Sequence, residues 1–321
     1  MEVFLNTDIK KILEIEERPQ TAFIPYWTAE AYGFGKYIRK YGFYPKSFPL
    51  LIFTDHSGPS LRSKLNYYEV NNNAPVIMFH SPELVKKWKS QYKQKCYNLY
   101  SPFVFYRRKN SISISPEATG TLAYPVHSMP ELDDGFDIEK YIDGLMRLPD
   151  KFHPISVSMH YHDLNIGRHE IFLRRGIRVF TAGNPHDYRF PQRFYSILRN
   201  FRYATSNFVG SALFYAVEMD IPFFIYGNEP EYKKNVETEL AQIALESAIA
   251  KDEIIDYYTN MFNKVSDTIT NEQKFLVEST LGLYDGISRI KMSQILYSCY
   301  LRFRIHNIIN KGKKFLSARA C

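Results

Sequence analysis

The residues best suited to bind a ligand lie in segment 203–227, YATSNFVGSALFYAVEMDIPFFIYG. The pattern predicts a short strand, a polar loop, a helix that begins near Gly210 and a second strand. The first amides of such a helix lack partners within the helix and carry the positive end of its dipole. We therefore predict a phosphate site, which indicates a nucleotide-activated substrate. Its expected ligands are the amides of Gly210, Ser211 and Ala212 and the hydroxyls of Thr205, Ser206 and Ser211.

Polar residues also end three other predicted strands in this half of the chain. His127 and Ser128 end TLAYPVHS, His160 ends HPISVSMHYHD, and Thr181 ends IRVFTAGNP. Ligands of open α/β sheets bind beyond the carboxyl ends of the strands, so we expect these residues at the same site. Gly183 lets the backbone approach a base or ribose closely. For each, an ordinary loop or turn role is the alternative.

A catalytic base is expected in the first half of the chain. Asp55 and His56 follow the predicted strand in PLLIFTDH, and His80 and Ser81 follow the strand in APVIMFHS. A carboxylate or imidazole there could take a proton from a hydroxyl group. We predict Asp55 or His56 as the base, although Asp55 could instead cap the following turn.

A metal site is not predicted. His160 and His162 lie on the same side of a strand, as two metal ligands could, and Asp163 follows them. The sequence lacks the further histidine that would complete a known spacing of metal ligands. The exposed end of a helix and its hydroxyls can stabilise a phosphate without a metal, so we expect neither a metal nor a cofactor.

Length and composition favour two domains of an intracellular protein. The chain has 321 residues, 45% of them hydrophobic, and three scattered cysteines without a metal-ligand spacing. Its first 20 residues do not have the pattern of a secretory signal, and no apolar run approaches the roughly 20 residues that cross a bilayer. We therefore expect a cytoplasmic protein.

The order of the predicted elements indicates an α/β fold. Helices and strands alternate in the first half, and segment 107–120, RRKNSISISPEATG, is the best domain boundary. Regular βα units follow, which predict a doubly wound parallel sheet. From residue 231 the chain reads as mainly helical. We predict an N-terminal lobe over 1–115, a nucleotide-binding lobe over 116–235 and a helical segment over 236–321.

Residues 120–227 resemble the donor-binding lobe of GT-B type glycosyltransferases, in particular bacterial enzymes of capsule and surface-polysaccharide assembly. The matching segments are GTLAYPVHS, FHPISVSMHYHDLNIGRHEIFLRRGIRVFTAGNP and RFYSILRNFRYATSNFVGSALFYAVEMDIPFFIYG. The resemblance implies two Rossmann-like lobes with a nucleotide sugar in the cleft between them. It also implies a glycan or lipid-linked acceptor. By this resemblance the phosphate role falls to Thr205, Ser206, Asn207, Gly210 and Ser211.

One position departs from the family pattern. Many members that use nucleoside diphosphate sugars bind the ribose with an acid at the position of Tyr215, and here the nearest acid is Glu218, one turn later. We therefore include Glu218 among the donor-binding residues. The departure leaves room for a CMP-linked donor. Bacterial sialyltransferases match in part through Asp133 to Gly135 and through His153 and Pro154.

The C-terminal segment carries the net positive charge. From Gly286 to Cys321 there are eight basic residues and no acidic one, whereas the charge of the rest is nearly balanced. Interleaved apolar residues suit a helix on an anionic membrane surface, which would place the protein at the inner face of the membrane. The alternative is a helix packed across both lobes. No nucleic-acid recognition motif is present, so we expect no nucleic-acid partner.

These observations predict a glycosyltransferase that acts on bacterial surface glycans. Two alternatives remain open at this point. A sugar-nucleotide epimerase of similar two-lobed fold would need a donor but no acceptor, and a polysaccharide-assembly protein would bind without catalysis.

Overall fold

The computed structural model describes residues 13–54, 59, 61–133, 135–249 and 252–317. In the first half, three parallel strands form a sheet in the order β1-β2-β3: β1 (Phe53–Thr54), β2 (Val76–Phe79) and β3 (Lys95–Asn98). All four residues of β2 are buried, as expected for a central parallel strand covered on both faces.

Four α-helices accompany this sheet: α1 (Phe34–Tyr41), α2 (Tyr67–Val70), α3 (Pro82–Gln91) and α4 (Pro102–Lys109). Helix α3 begins where the sequence predicts, because the Ser81 side chain accepts a hydrogen bond from the Leu84 amide and Pro82 occupies the first turn. The pattern PELVKKWKSQYKQK predicts a helix over 82–95, but α3 ends at Gln91 and Lys95 begins β3. Helix α4 reaches Lys109, inside segment 107–120, and the domain boundary there stays a prediction.

The second half contains a five-stranded parallel sheet in the order β7-β6-β4-β8-β9. The strands are β4 (Thr121–Ala123), β6 (Ile155–Ser158), β7 (Arg178–Phe180), β8 (Tyr203–Ser206) and β9 (Phe223–Ile225). Ala123 of central β4 pairs with Val157 on one side and Thr205 on the other. The predicted doubly wound sheet is confirmed.

Short helices connect these strands: α5 (Ile138–Met146), α6 (Tyr161–Asn165), α7 (His169–Arg174), α8 (Phe190–Leu198) and α9 (Ser211–Glu218). Beside them, β5 (Leu132–Asp133) pairs antiparallel with β10 (Lys233–Lys234). This small ribbon brings the chain after β9 back to the loop that follows β4.

The last part is helical, as predicted: α10 (Glu239–Ile249), α11 (Glu253–Phe262), α12 (Asn271–Thr280) and α13 (Arg289–Ser317). Helix α13 returns to the first half of the chain. It packs so closely on the end of α1 that a Cβ atom on Gly42 would lie 2.8 Å from Cγ of Met292. The predicted α/β class, with parallel sheets and a helical C-terminal region, is therefore confirmed.

The largest apolar cluster crosses both predicted boundaries. It joins Phe34 and Val76 of the first half to Leu213 of α9 and to Val277 and Leu296 of the C-terminal helices. The three segments thus share buried contacts, and the division at 115 and 235 stays a prediction.

Candidate functional site

The carboxyl ends of the second sheet gather most of the predicted site residues. Because the five strands are parallel, the loops that follow β4, β6, β7 and β8 leave the sheet at the same edge. His127, His160, Thr181 and Asn207 stand in these loops.

Two histidines meet at this edge. The rings of His127 and His160 stack with centroids 4.0 Å apart and 21° between their planes. They approach because β4 and β6 are neighbouring strands. The Nδ1 atom of His127 lies 3.0 Å from the carbonyl oxygen of Ser128, which fixes the orientation of its ring.

His160 is a neutral hydrogen-bond donor in this environment. Burial, followed by the neighbouring rings of His127 and His162, lowers its pKa from 6.5 to about 2. Its Nδ1 atom caps α6 by accepting a hydrogen bond from the His162 amide, at 3.4 Å. The proton of the neutral ring therefore resides on Nε2. That atom is buried and has no hydrogen-bond partner among the described residues.

The hydroxyl of Ser128 is hydrogen-bonded to Asp163. It is buried, and its Oγ donates to Oδ1 of Asp163 at 2.7 Å while its amide donates to the same oxygen at 3.3 Å. Arg168 also donates to that oxygen, at 3.3 Å. Asp163 thus holds the Ser128 hydroxyl and amide, and the predicted ligand contact of Ser128 stays a prediction.

The start of α9 is open to a ligand. Gly210 caps the helix with extended backbone and no side-chain hydrogen bond, and its first turn has no acidic residue. A Cβ atom on Gly210 would meet nothing within 4 Å. Gly210 is exposed and Ser211 half-buried, so the first amides of α9 face accessible space with the positive end of the dipole.

Asn207 links three strand ends. Its Oδ1 accepts from the Val126 amide at 2.8 Å, and its Nδ2 donates to the Asn228 carbonyl oxygen at 3.0 Å. The side chain is buried and joins the loops after β4, β8 and β9. It therefore shapes the site, and one of the two N–H donors of its side-chain amide is used by Asn228. Its predicted contact with phosphate stays a prediction.

The hydroxyls of Thr205 and Ser206 also have internal partners. Thr205 Oγ1 donates to the Phe224 carbonyl oxygen at 2.7 Å inside the sheet, and Ser206 Oγ accepts from the Phe208 amide at 3.2 Å. Both residues are buried. The Thr205 hydroxyl proton is used inside the sheet, whereas Ser206 Oγ accepts here and keeps its proton for another acceptor. Their contact with phosphate stays a prediction.

The loop after β7 contains a tight turn. Gly183 has a φ of +85°, a conformation that favours glycine, and its amide donates to Thr181 Oγ1 at 3.0 Å. Thr181 is buried. The structure therefore supports the ordinary turn that the sequence left open as the alternative for this pair.

Comparisons with known proteins give fold-level likenesses only. The chain matches no family model and no curated protein sequence. Among solved structures it is similar to the wall teichoic acid polymerase TagF, H444N variant with CDPG, with a TM-score of 0.43 and 9% identity over 89% of this chain and 90% of that one.

Two further solved structures are similar. The UDP-GlcNAc 2-epimerase of Neisseria meningitidis bound to UDP-GlcNAc has a TM-score of 0.38 and 13% identity over 77% of this chain and 69% of that one. The S. aureus MnaA–UDP complex has a TM-score of 0.37 and 13% identity over 87% and 71%. Likenesses this distant do not say what the chain binds, so its function has to be inferred from its own residues.

Glu218 lies away from the other candidates. It ends α9, about 12 Å along the helix axis from Gly210. Its buried carboxylate accepts two hydrogen bonds from Arg107, at 2.6 and 2.5 Å, and one from Arg108, at 3.0 Å. The carboxylate is thus held by α4, and the role of Glu218 in donor binding stays a prediction.

Tyr215 does not replace a ribose-binding acid. It is 1% exposed, and its ring stacks on Phe103 of α4 with centroids 4.6 Å apart. The His-Pro pair is equally remote from the site: His153 precedes β6 at the opposite edge of the sheet, where its Nε2 lies 2.9 Å from the Leu148 carbonyl oxygen.

The predicted base residues Asp55 and His56 lie outside the described residues, immediately after β1. Of the other polar residues near the first sheet, Ser81 caps α3. His80 is fully buried, and its ring lies 5.6 Å from that of Phe34. Neither is available to take a proton from a substrate.

Tyr32 is a candidate that the sequence did not reveal. Its φ of +54° is unusual for a non-glycine residue, and its amide donates to the Pro185 carbonyl oxygen at 2.5 Å in the loop after β7. Burial, with the nearby Tyr161 hydroxyl as a smaller cause, raises its pKa to about 12. Tyr32 therefore brings the first half of the chain to the edge where the histidines lie. In the sequence, only the adjacent glycine of AYG indicates this unusual backbone conformation, because the pattern of that stretch otherwise predicts a helix.

Within the described ranges, no group of three or more His, Cys, Asp or Glu side chains has the arrangement of a metal site. None of the described helices combines the length and apolar character needed to cross a membrane.

Proposed function

We propose that this chain is a glycosyltransferase that moves a sugar from a nucleotide-activated donor to a bacterial surface polysaccharide or glycolipid. The observation that carries the proposal is the buried, unpartnered Nε2 of neutral His160 at the same sheet edge as the uncapped start of α9. A buried donor without an acceptor is costly, and a ligand oxygen would satisfy it.

The chemistry of these groups favours a phosphate. The Nε2–H of His160 and the first amides of α9 are donors, and the first turn of α9 has no acidic residue. The Asp163 carboxylate at this edge is already held by Ser128 and Arg168. Contacts from His160 to His127, and from neighbouring Val126 to Asn207, connect the loop of His160 with the loop that precedes α9. A phosphate ester that leaves with a growing negative charge is stabilised by fixed donors of this kind.

In the proposed reaction, the acceptor oxygen bonds to the anomeric carbon of the sugar. The bond between that carbon and the donor phosphate oxygen breaks, and the phosphate takes the electron pair. Asp55 or His56 would receive the proton of the acceptor hydroxyl. His160 and α9 would stabilise the departing phosphate, so the step needs no metal.

The identity of the nucleotide is proposed from the presence of Tyr215 where many related enzymes have an acid. A stacked tyrosine at the place of a ribose-binding acid leaves no carboxylate for the ribose hydroxyls in α9, and Glu218 is held by Arg107 and Arg108. In the resembling enzymes that use nucleoside diphosphate sugars, an acid at this position binds the ribose, and its absence here leads us to favour a CMP-linked sugar as the donor. The reaction would take place at the cytoplasmic face of the membrane.

Ligand-induced thermal stabilisation tests the donor site. We expect CMP or a CMP-linked sugar to raise the melting temperature of the full chain, because a ligand bound only by the folded state stabilises it. UDP, GDP and their sugars serve as competitors. The absence of any shift with all nucleotides would contradict the proposal.

Product analysis then tests the reaction. A glycosyltransferase consumes the donor only when an acceptor glycan is present, whereas an epimerase converts the sugar nucleotide without one. Asp55→Asn and His56→Asn are to be measured in the same assay. If both variants retain full transfer activity, the proposed base is wrong, and binding without turnover would favour a polysaccharide-assembly role.

A further inference from the structure

The outer half of α13 exposes large apolar side chains. Leu301, Ile305 and Ile308 are 58%, 57% and 65% exposed. Their spacings of four and three residues place them on one side of the helix. We call these three residues the apolar stripe of α13. The ring contacts of this part of α13 do not involve the stripe: Tyr300 stacks on Phe48 with centroids 4.1 Å apart, and Phe303 lies 5.5 Å from Phe23.

A basic cavity lies directly beside this stripe. It has a volume of ≈ 350 Å³ and is bounded by β2, β3 and one side of α13. Lys95, Lys291 and Arg302 line it together with the hydroxyl-bearing Ser298, and no acidic residue does. Arg302 immediately follows Leu301 in the helix, so the wall of the cavity adjoins the stripe. None of the three cations forms an ion pair with the described residues.

The cavity is separate from the proposed donor site. Lys95 begins β3 and Val76 begins β2, so the cavity lies at the amino edge of the first sheet. The donor site lies at the carboxyl edge of the second sheet. A ligand in one does not need to touch the other.

Two more apolar side chains are exposed next to α13. Phe23 and Ile24 are 41% and 45% exposed, and the ring of Phe23 lies 5.5 Å from that of Phe303. The sequence beyond Gly286 supplies eight basic residues and no acid. Exposed aliphatic and aromatic side chains among uncompensated cations form the pattern of a surface that enters the headgroup region of an anionic membrane.

We propose that the apolar stripe of α13 and the adjacent basic cavity bind a membrane that contains anionic lipids. Leu301, Ile305 and Ile308 would enter the boundary between headgroups and acyl chains, and Lys95, Lys291 and Arg302 would hold a headgroup phosphate. Charge complementarity selects this occupant, because a second copy would bring the same positive charge to the surface.

Vesicle co-sedimentation of the full chain tests the proposal. We expect binding to vesicles of phosphatidylcholine with phosphatidylglycerol, release at high salt, and little binding to phosphatidylcholine alone. The charge-reversal pair Lys95→Glu and Arg302→Glu should weaken binding to the anionic vesicles by about tenfold or more. The pair Ile305→Glu and Ile308→Glu should weaken it at least as much.

Matched controls keep the net charge and the number of substitutions equal. Lys86→Glu with Lys264→Glu reverses two exposed cations elsewhere, and Phe275→Glu with Leu240→Glu alters two exposed apolar residues elsewhere. Both controls should bind vesicles like the unmodified chain. If they lose binding equally, the interaction depends on overall charge and the proposal is wrong.

Two other results would also overturn it. One is equal binding to both vesicle types. The other is self-association of the chain, measured by sedimentation velocity, that the Ile305→Glu and Ile308→Glu pair abolishes without changing vesicle binding. Nucleotide-induced thermal shifts of the same variants should be unchanged, which separates a failure of this surface from a failure of the donor site.

Discussion

The imidazole of His160 stacks on that of His127, with ring centroids 4.0 Å apart. The same ring caps α6 through Nδ1, so its tautomer leaves the Nε2 proton free for a ligand. The His160 side chain thus caps the start of α6 and contributes a hydrogen-bond donor to the carboxyl edge of the sheet.

Replacing His160 should weaken nucleotide binding. A hydrogen bond to a charged phosphate contributes about 1.5–3 kcal/mol, so His160→Ala should raise the dissociation constant roughly tenfold or more. His160→Gln retains a side-chain N–H donor and should recover part of the affinity. Isothermal titration with the nucleotide identified by thermal shift provides the measurement. His153→Asn, at the opposite sheet edge, is the control, and an equal loss there would contradict the assignment.

Acid should destabilise the protein through His160. Its pKa is about 2 in the folded chain against an ordinary value of 6.5, so below pH 6.5 the unfolded chain takes up a proton that the folded chain does not. Stability from this group is present above pH 6.5 and is lost as the pH falls toward 2, by up to about 2 kcal/mol between pH 7 and pH 5.

Urea unfolding at these two pH values measures the effect. His160→Gln cannot titrate, so its loss of stability between pH 7 and pH 5 should be smaller than that of the unmodified chain. Identical losses in the two proteins would show that His160 is protonated normally in the folded state.

Gly210→Asp should separate helix stability from ligand binding. Gly210 has the extended backbone of an N-cap residue and open space around a Cβ atom. Aspartate is a good N-cap, so the free energy of unfolding should stay equal or rise by a few tenths of a kcal/mol. Its charge would occupy the place of the phosphate, so the nucleotide-induced thermal shift should disappear.

Gly210→Ser is the matched control for this experiment. Serine caps the helix without a charge, so it should retain most of the thermal shift. If Gly210→Asp binds nucleotide as well as Gly210→Ser does, the phosphate does not lie at the start of α9.

Glu218→Gln should destabilise the fold without a direct effect on the site. The carboxylate is fully buried between Arg107 and Arg108, so its removal leaves a largely buried Arg107 guanidinium without its charge partner. We expect a loss of about 3–5 kcal/mol in the free energy of unfolding, measured by chemical denaturation.

Asp220→Asn is the control for Glu218. Asp220 pairs with Lys274 but is 79% exposed, so its replacement should change stability little. Below its melting temperature, Glu218→Gln should bind nucleotide like the unmodified chain. A selective loss of binding in a stable Glu218→Gln protein would restore the predicted donor contact.

The sequence predicted the elements of the second half well because their signals are local. Alternating apolar strands, the capping residues of helices and the glycine at 210 each act within a few positions. The first half was harder. The pattern predicts a helix that continues to Lys95, whereas Lys95–Asn98 forms a strand that pairs with β2.

The amino-acid sequence by itself determined the α/β class, the order of βα units and the open start of α9 at Gly210. Only the tertiary structure decided which polar groups are free. Thr205, Asn207 and Glu218 are internally bonded by residues distant in the chain, and the Nε2 of His160 is left without a partner among the described residues. The physical reason is that residue type sets what a side chain can donate or accept, whereas the groups that reach it depend on how distant strands and helices pack.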